Sequence, residues 1–218
     1  MEPVQFSGAI NLSGTSLLVV SPQRCNIESL EQRIQRVARE DVAITPYNPN
    51  WPFLFRQEKE HLLSCLPHGL IRRIEHFGST AVPGLAAKPI VDMLVEVADL
   101  QTTRSQVVPI LEGQGYDYFW RPTQGEDGPP FYAFFIKRHP QSGTRTHHIH
   151  MVEADFETWD RLLFRDYLIE HPQAAREYES LKVHLASAHP NDRVAYTEGK
   201  TEFVVRMTQQ AKRFYGKA

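Results

Sequence analysis

The run Pro89-Ile-Val-Asp-Met-Leu-Val-Glu-Val97 constrains this chain more than any other segment. Its apolar residues fall on both parities, the pattern of a strand covered on both faces. Asp92 interrupts it, and a carboxylate there costs on the order of several kcal/mol unless donors or a cation meet it. A hydrogen-bonded structural aspartate and a cation ligand are the two readings. Strand alternation sets Leu94 and Glu96 on the face of Asp92, with Glu96 roughly 13 Å further along.

The strand is preceded by His76-Phe-Gly-Ser-Thr-Ala-Val-Pro-Gly-Leu-Ala-Ala-Lys88. Gly78, Ser79 and Thr80 form a turn of small residues whose backbone N–H groups suit a phosphate or another anion. Lys88 adds a point charge, and Asp92 offers oxygen to a divalent cation. An ordinary glycine turn is the plainer alternative. Further along, His148 and His150 share one strand face. With Asp92 they resemble a two-histidine, one-carboxylate metal set, and they equally suit phosphate contact or acid–base work. Arg165, Lys182 and Lys200 lie in the helical C-terminal part and are candidate anion contacts. A salt-bridged helix face accounts for them as well.

Strand-type runs come first and helical periodicity last, which predicts an α+β fold with a mixed sheet backed by helices. Strands are expected at Val42–Tyr47, Leu70–His76, Pro89–Val97, Tyr116–Arg121, Phe131–Lys137 and His147–Val152. A hairpin loop, Pro122–Pro130, joins the fourth and fifth. Helices are expected from Trp51 to Leu66 and over Gln106–Glu112, Phe156–Glu170, Gln173–Ala188 and Thr197–Phe214. Residues 1–40 read as an extension: a loose segment over 1–22, with a short strand at Ser16–Val20 as the alternative, then an amphipathic helix from Ile27 to Ala38. Residues 41–218 form the domain.

With a formal net charge of −2, the chain is no non-specific nucleic-acid binder. No apolar run reaches the length of a membrane span, and nothing at the N-terminus reads as a signal segment. The two cysteines, Cys25 and Cys65, are too few for a disulfide framework, so a cytoplasmic protein is expected.

Together these segments resemble the GrpB family, a group of predicted nucleotidyltransferases. The resemblance runs from Val42 to about Phe214. It rests on Pro46-Tyr-Asn-Pro-Asn-Trp-Pro52, His76 through Asp92, His148-Ile-His150, Phe164-Arg-Asp-Tyr-Leu168, His171-Pro172, Tyr178 through Lys182, and Ala195 through Lys200. The family is similar to the polymerase-β-like nucleotidyltransferases, which place Gly-Ser about a dozen residues before a strand with two alternating carboxylates. Gly78-Ser79 and Asp92 fit that pattern, whereas Leu94 stands at the second carboxylate.

The resemblance implies nucleotidyl transfer from a nucleoside triphosphate to an acceptor with Mg²⁺ or Mn²⁺. Asp92 would bind the cation, Ser79, the loop and Lys88 the phosphates, and His76, His148 or His150 would serve as base. A non-catalytic module for a nucleotide or phosphorylated metabolite is the second reading. Acyl transfer or ligation by the histidines, with or without a transition metal, is the third.

Overall fold

The computed structural model describes residues 29–38, 40–124 and 128–217. The first twenty-two residues, with the alternative strand at Ser16–Val20, lie outside them. Five strands form one mixed sheet: β1 (Ile71–Phe77), β2 (Val91–Val97), β3 (Asp117–Gln124), β4 (Gly128–Arg138) and β5 (Arg145–Val152). Their order is β1-β2-β5-β4-β3, with β2 and β5 parallel and every other pair antiparallel. The apolar strand is flanked on both sides as its composition demands: Met93, Leu94 and Val95 are fully buried.

One face of the sheet carries α2 (Trp51–Cys65) and a helical stretch made of α3 (Leu100–Thr102), a π-helical turn Thr103–Val107, and α4 (Val108–Gly113). Trp51, Leu62, Met93, Val95, Leu111, Ile149 and Met151 meet there as the main core. Pro52 is tolerated in the first turn of α2, where an N–H has no helical acceptor anyway. The Asp99 carboxylate caps α3 by accepting from Thr102 N at 2.7 Å, which starts this helical stretch earlier than the apolar spacing indicates.

Over the opposite face come α5 (Asp160–Glu170), α6 (Pro172–Ala188), α7 (Arg193–Glu198) and α8 (Thr201–Phe214). On α8, Phe203, Met207 and Ala211 are buried at four-residue spacing against Phe164, Tyr167 and Tyr178. The single helix expected over Thr197–Phe214 is two. Asp192 caps α7, accepting from Val194 N and Ala195 N at 3.1 and 3.0 Å, and Gly199 separates α7 from α8. A Cβ at Gly199 would stand 2.5 Å from Leu185 Cδ2, so the chain turns there against α6.

Two further expectations are corrected. Val42–Tyr47 makes only an isolated bridge, Thr45 with Ala87, because Pro46 has no N–H to extend the ladder. The Pro122–Pro130 loop is shorter than expected, since β3 and β4 run into it to Gln124 and from Gly128. The amphipathic segment in the N-terminal extension is helical as α1 (Leu30–Ala38), and it docks on the β3 edge. There Arg33 donates to Tyr118 O at 3.2 Å and Arg36 pairs with Asp117 at 3.0 Å. Among the described residues, no helix is long and apolar enough to cross a membrane.

Candidate functional site

Parallel pairing sets Asp92 beside His148 and Leu94 beside His150, so all four side chains share the face under the C-terminal helices. Asp92 Oδ1 and His148 Nδ1 are 3.0 Å apart. On the far side of that ring, Arg145 Nη1 lies 3.3 Å from His148 Nε2. A guanidinium only donates, so Nε2 accepts, and the ring proton sits on Nδ1 and is donated to Asp92. Burial pushes His148 down to about 4, against the pull of Asp92, and the ring is neutral at pH 7. Burial works to raise Asp92, but His148 and the neighbouring cations hold it at about 2. The carboxylate side chain keeps 28% of its surface accessible.

Gly78 takes φ of 74°, a conformation that favours glycine, and a Cβ there would stand 2.5 Å from Asp92 Oδ2. The Gly-Ser turn is therefore pressed onto the aspartate, and Ser79 interacts with the Tyr178 hydroxyl. Thr80 is buried and lies 3.0 Å from His76 Nε2 through its hydroxyl. His76 pairs with Met93, so its ring points to the α2 face, stacked on Phe55 at 4.9 Å. That placement corrects the reading of His76 as a base beside Asp92, because the sheet separates the ring from the Asp92 face.

Basic side chains surround the carboxylate. Lys88 and Lys200 flank the Tyr196 ring, at 4.7 and 4.6 Å from its centroid. Burial, then Arg193 and Lys200, push Lys88 down to about 6, and burial with Arg161 and Arg193 pushes Lys200 to about 8. Asp92 opposes both shifts. The other two predicted anion contacts have structural partners instead. Arg165 donates to His76 O at 2.7 Å, and Lys182, 1% exposed, donates to Ala86 O. Both pin the Gly78–Ala87 loop and its strand to the helices.

The two-histidine metal set is not assembled. Both His148 nitrogens are engaged, and His150 is enclosed by Phe77, Tyr132 and Phe134 at 4.8 to 5.5 Å. Among the described residues, no three His, Cys, Asp or Glu side chains gather as metal ligands.

Sequence reasoning missed Arg145, Arg193 and Glu40. Plain alternation would set Arg145 on the face of His147, the wrong side. One step on β4, from Lys137 to Arg138, is instead matched by two on β5, and this bulge turns Arg145 towards His148. For Arg193 a signal existed in Asp192, a helix-starting residue that places the next side chain at the mouth of α7.

Residues 41–210 match the family described as GrpB protein. The chain belongs to the GrpB family. The UPF0157 protein of Pseudomonas aeruginosa is 43% identical over 183 residues, covering 83% of this chain and 72% of that protein. The UPF0157 protein YqkA of Bacillus subtilis is 40% identical over 174 residues, and there the alignment spans 79% of this chain but only 48% of the relative. The crystal structure of GrpB from Enterococcus faecalis superposes with a TM-score of 0.68 at 35% identity, covering 79% of this chain and 99% of that one. A more distant Mycolicibacterium paratuberculosis protein, named dephospho-CoA kinase, is 27% identical, covering 68% of this chain and 40% of its own length. The match to the GrpB family takes in Gly78, Asp92, His148 and the cation ring, and leaves α1 and Glu40 outside.

Proposed function

We propose that this GrpB protein binds the phosphate chain of a nucleoside triphosphate in the Asp92 cleft and transfers the nucleotidyl group to an acceptor. One observation carries the reading: a single accessible carboxylate, held ionised, faces a ring of desolvated basic side chains. A metal–phosphate complex would satisfy both halves, its cation meeting Asp92 and its oxygens meeting Lys88, Lys200 and the Gly78–Thr80 backbone. Oδ1 is taken by His148, so Oδ2 is the atom left for Mg²⁺ or Mn²⁺. In the reaction an acceptor oxygen would bond to the α-phosphorus as the bond to pyrophosphate breaks, the acceptor's proton leaving on the pyrophosphate or passing to solvent. His148 holds Asp92 in place rather than taking the acceptor's proton, because both of its nitrogens are engaged.

A second reading, binding without transfer, draws on Leu94. It is fully buried among Phe77, Phe134 and Ile136, where a two-cation enzyme needs a second carboxylate. Calorimetry with nucleoside triphosphates, with and without Mg²⁺ or Mn²⁺, together with a pyrophosphate-release assay, tests the pair. Cation-dependent binding with release supports transfer, and binding without release supports the module. Absence of nucleotide binding under either condition overturns both. The kinase name of the mycobacterial relative directs the acceptor screen towards phosphate-bearing compounds, dephospho-coenzyme A among them.

A further inference from the structure

Beside the Asp92 cleft, and sharing Lys88 with it, is a second cavity of about 480 Å³. Arg138, Arg145 and Arg193 line it, and so does Glu40. The Glu40 carboxylate sits among all three guanidinium groups. Arg138 Nη2 donates to Oε1 at 2.7 Å, Arg145 Nε donates to Oε2, and Arg193 Nη2 is 4.0 Å away. Arg145 keeps only 4% of its side chain accessible, and Arg193 Nε is buried without an acceptor. Asp117 also accepts from Arg138 Nε, at 2.7 Å, and Asp41 lines the cavity, but with Arg36 counted the guanidinium groups still outnumber the carboxylates, four to three, and Arg193 Nε remains an unmet donor. Glu40 lies outside the stretch that matches the family, whereas the three arginines lie inside it.

We propose that the arginine cavity is a phosphate subsite, and that Glu40 of the N-terminal extension is a displaceable carboxylate occupying it. A phosphate brings more charge and more acceptor oxygens than a carboxylate, so it meets the three guanidinium groups more completely. The subsite is wired to the cleft: Glu40 pairs with Arg145, Arg145 donates to His148, and His148 donates to Asp92. Filling the cavity therefore acts on the group that orients the cation ligand. The phosphate could be the far end of the nucleotide's own chain or a phosphate on the acceptor. Only that assignment rests on the nucleotidyl-transfer reading; the subsite stands without it.

Inorganic pyrophosphate is the probe, measured by calorimetry on the full chain without divalent cations. Glu40→Gln removes the competing charge and keeps hydrogen-bonding capacity, so affinity should rise tenfold or more, and Arg145→Ala in that background should abolish the gain. Pyrophosphate should also raise the melting temperature of Glu40→Gln more than that of the wild type. Unchanged or weaker binding by Glu40→Gln overturns the proposal. Should that variant fail to fold, hydrogen exchange at residues 40–42 of the wild type decides instead: faster exchange with pyrophosphate supports displacement, and unchanged or slower exchange overturns it. Asp92→Asn separates the two sites, since it should remove cation-dependent nucleotide binding and leave the pyrophosphate gain of Glu40→Gln in place. In Glu40→Gln, competition between nucleoside triphosphate and pyrophosphate assigns the subsite to the nucleotide, and simultaneous binding assigns it to the acceptor.

Discussion

The two faces of the sheet are built from alternate residues of the same strands, yet they solve opposite problems. On the α2 side, Val91, Met93, Val95 and Val97 meet Ile149 and Met151 in a core with almost no solvent contact. One step along each strand, Asp92, His148 and His150 face the C-terminal helices together with Lys88, Lys200, Arg145 and Arg193. The first face gains by excluding water from apolar surface. The second holds desolvated charges whose mutual repulsion an anionic ligand would relieve. The α2 side of β2 is almost wholly apolar, the other side combines apolar packing with the proposed binding site, and the offset between them is a single residue.

Met93→Ala gives the sharpest test of that division. Met93 is fully buried on the α2 face, and such truncations cost about 2–5 kcal/mol. Urea unfolding should show that loss, while the protein that remains folded keeps its affinity for nucleotide or pyrophosphate. A comparable loss of affinity would mean that the faces cannot be treated separately. Gly78→Ala should cost somewhat less, about 1–3 kcal/mol, from strain at φ of 74°. It should differ from Met93→Ala in kind, because the added Cβ would stand 2.5 Å from Asp92 Oδ2. Stability and ligand affinity should therefore fall together, by thermal melt and calorimetry. Loss of stability alone would show that the turn shapes the fold but not the site.

This difference between the faces also explains what the sequence made legible. The apolar strand, the α+β order and the common face of His148 and His150 follow from local pattern and period-2 geometry, and the GrpB family from the resemblance of its motifs. The resemblance gave His76 a role as base, while its position opposite Met93 in the ladder fixes it on the apolar side. Lys182 looked like a surface cation on an amphipathic helix, but its ammonium group ties down the Ala86 carbonyl from a buried position. Arg145 was invisible because a bulge shifts its facing, and bulges leave no period in the sequence. Glu40 and the arginines meet only through long-range packing, with 98 and 105 residues between partners, beyond any local motif.

Asp92→Asn addresses the binding face directly, with a smaller expected energy. Asparagine keeps the size and can still accept from His148, but it loses the charge that meets a cation. Cation-dependent nucleotide affinity should fall tenfold or more, about 1.4 kcal/mol, with the melting temperature little changed. Metal-free anion binding should hold or improve, since a negative charge has left the proposed anion site. A variant that unfolds, or one that folds and binds the metal–nucleotide complex as before, would make Asp92 a structural partner of His148 and move the binding-module reading to first place.

The smallest effect is a proton count, and it distinguishes a true anion site from cations that are merely buried. Burial first, then Arg193 and Lys200, lower Lys88 from its usual value to about 6, so in the free protein it is mostly neutral at pH 7. Between pH 6 and the ordinary lysine range the unfolded chain binds a proton that the folded chain does not. Stability contributed by this group therefore rises with pH across that window. An anion seated beside Lys88 favours the ammonium form and raises its pKa, so binding at pH 7 should draw a proton from solution, up to about one per ligand. Calorimetry in buffers of differing ionisation enthalpy reads this directly, and comparison with Lys88→Gln removes the ligand's own titration from the balance. Uptake should shrink below pH 6, where free Lys88 is already charged, and above pH 8 the contribution of Lys200, held at about 8, should come in. If Lys88→Gln takes up as many protons as the wild type, the anion does not sit beside Lys88, and the division between the two faces loses its electrostatic basis.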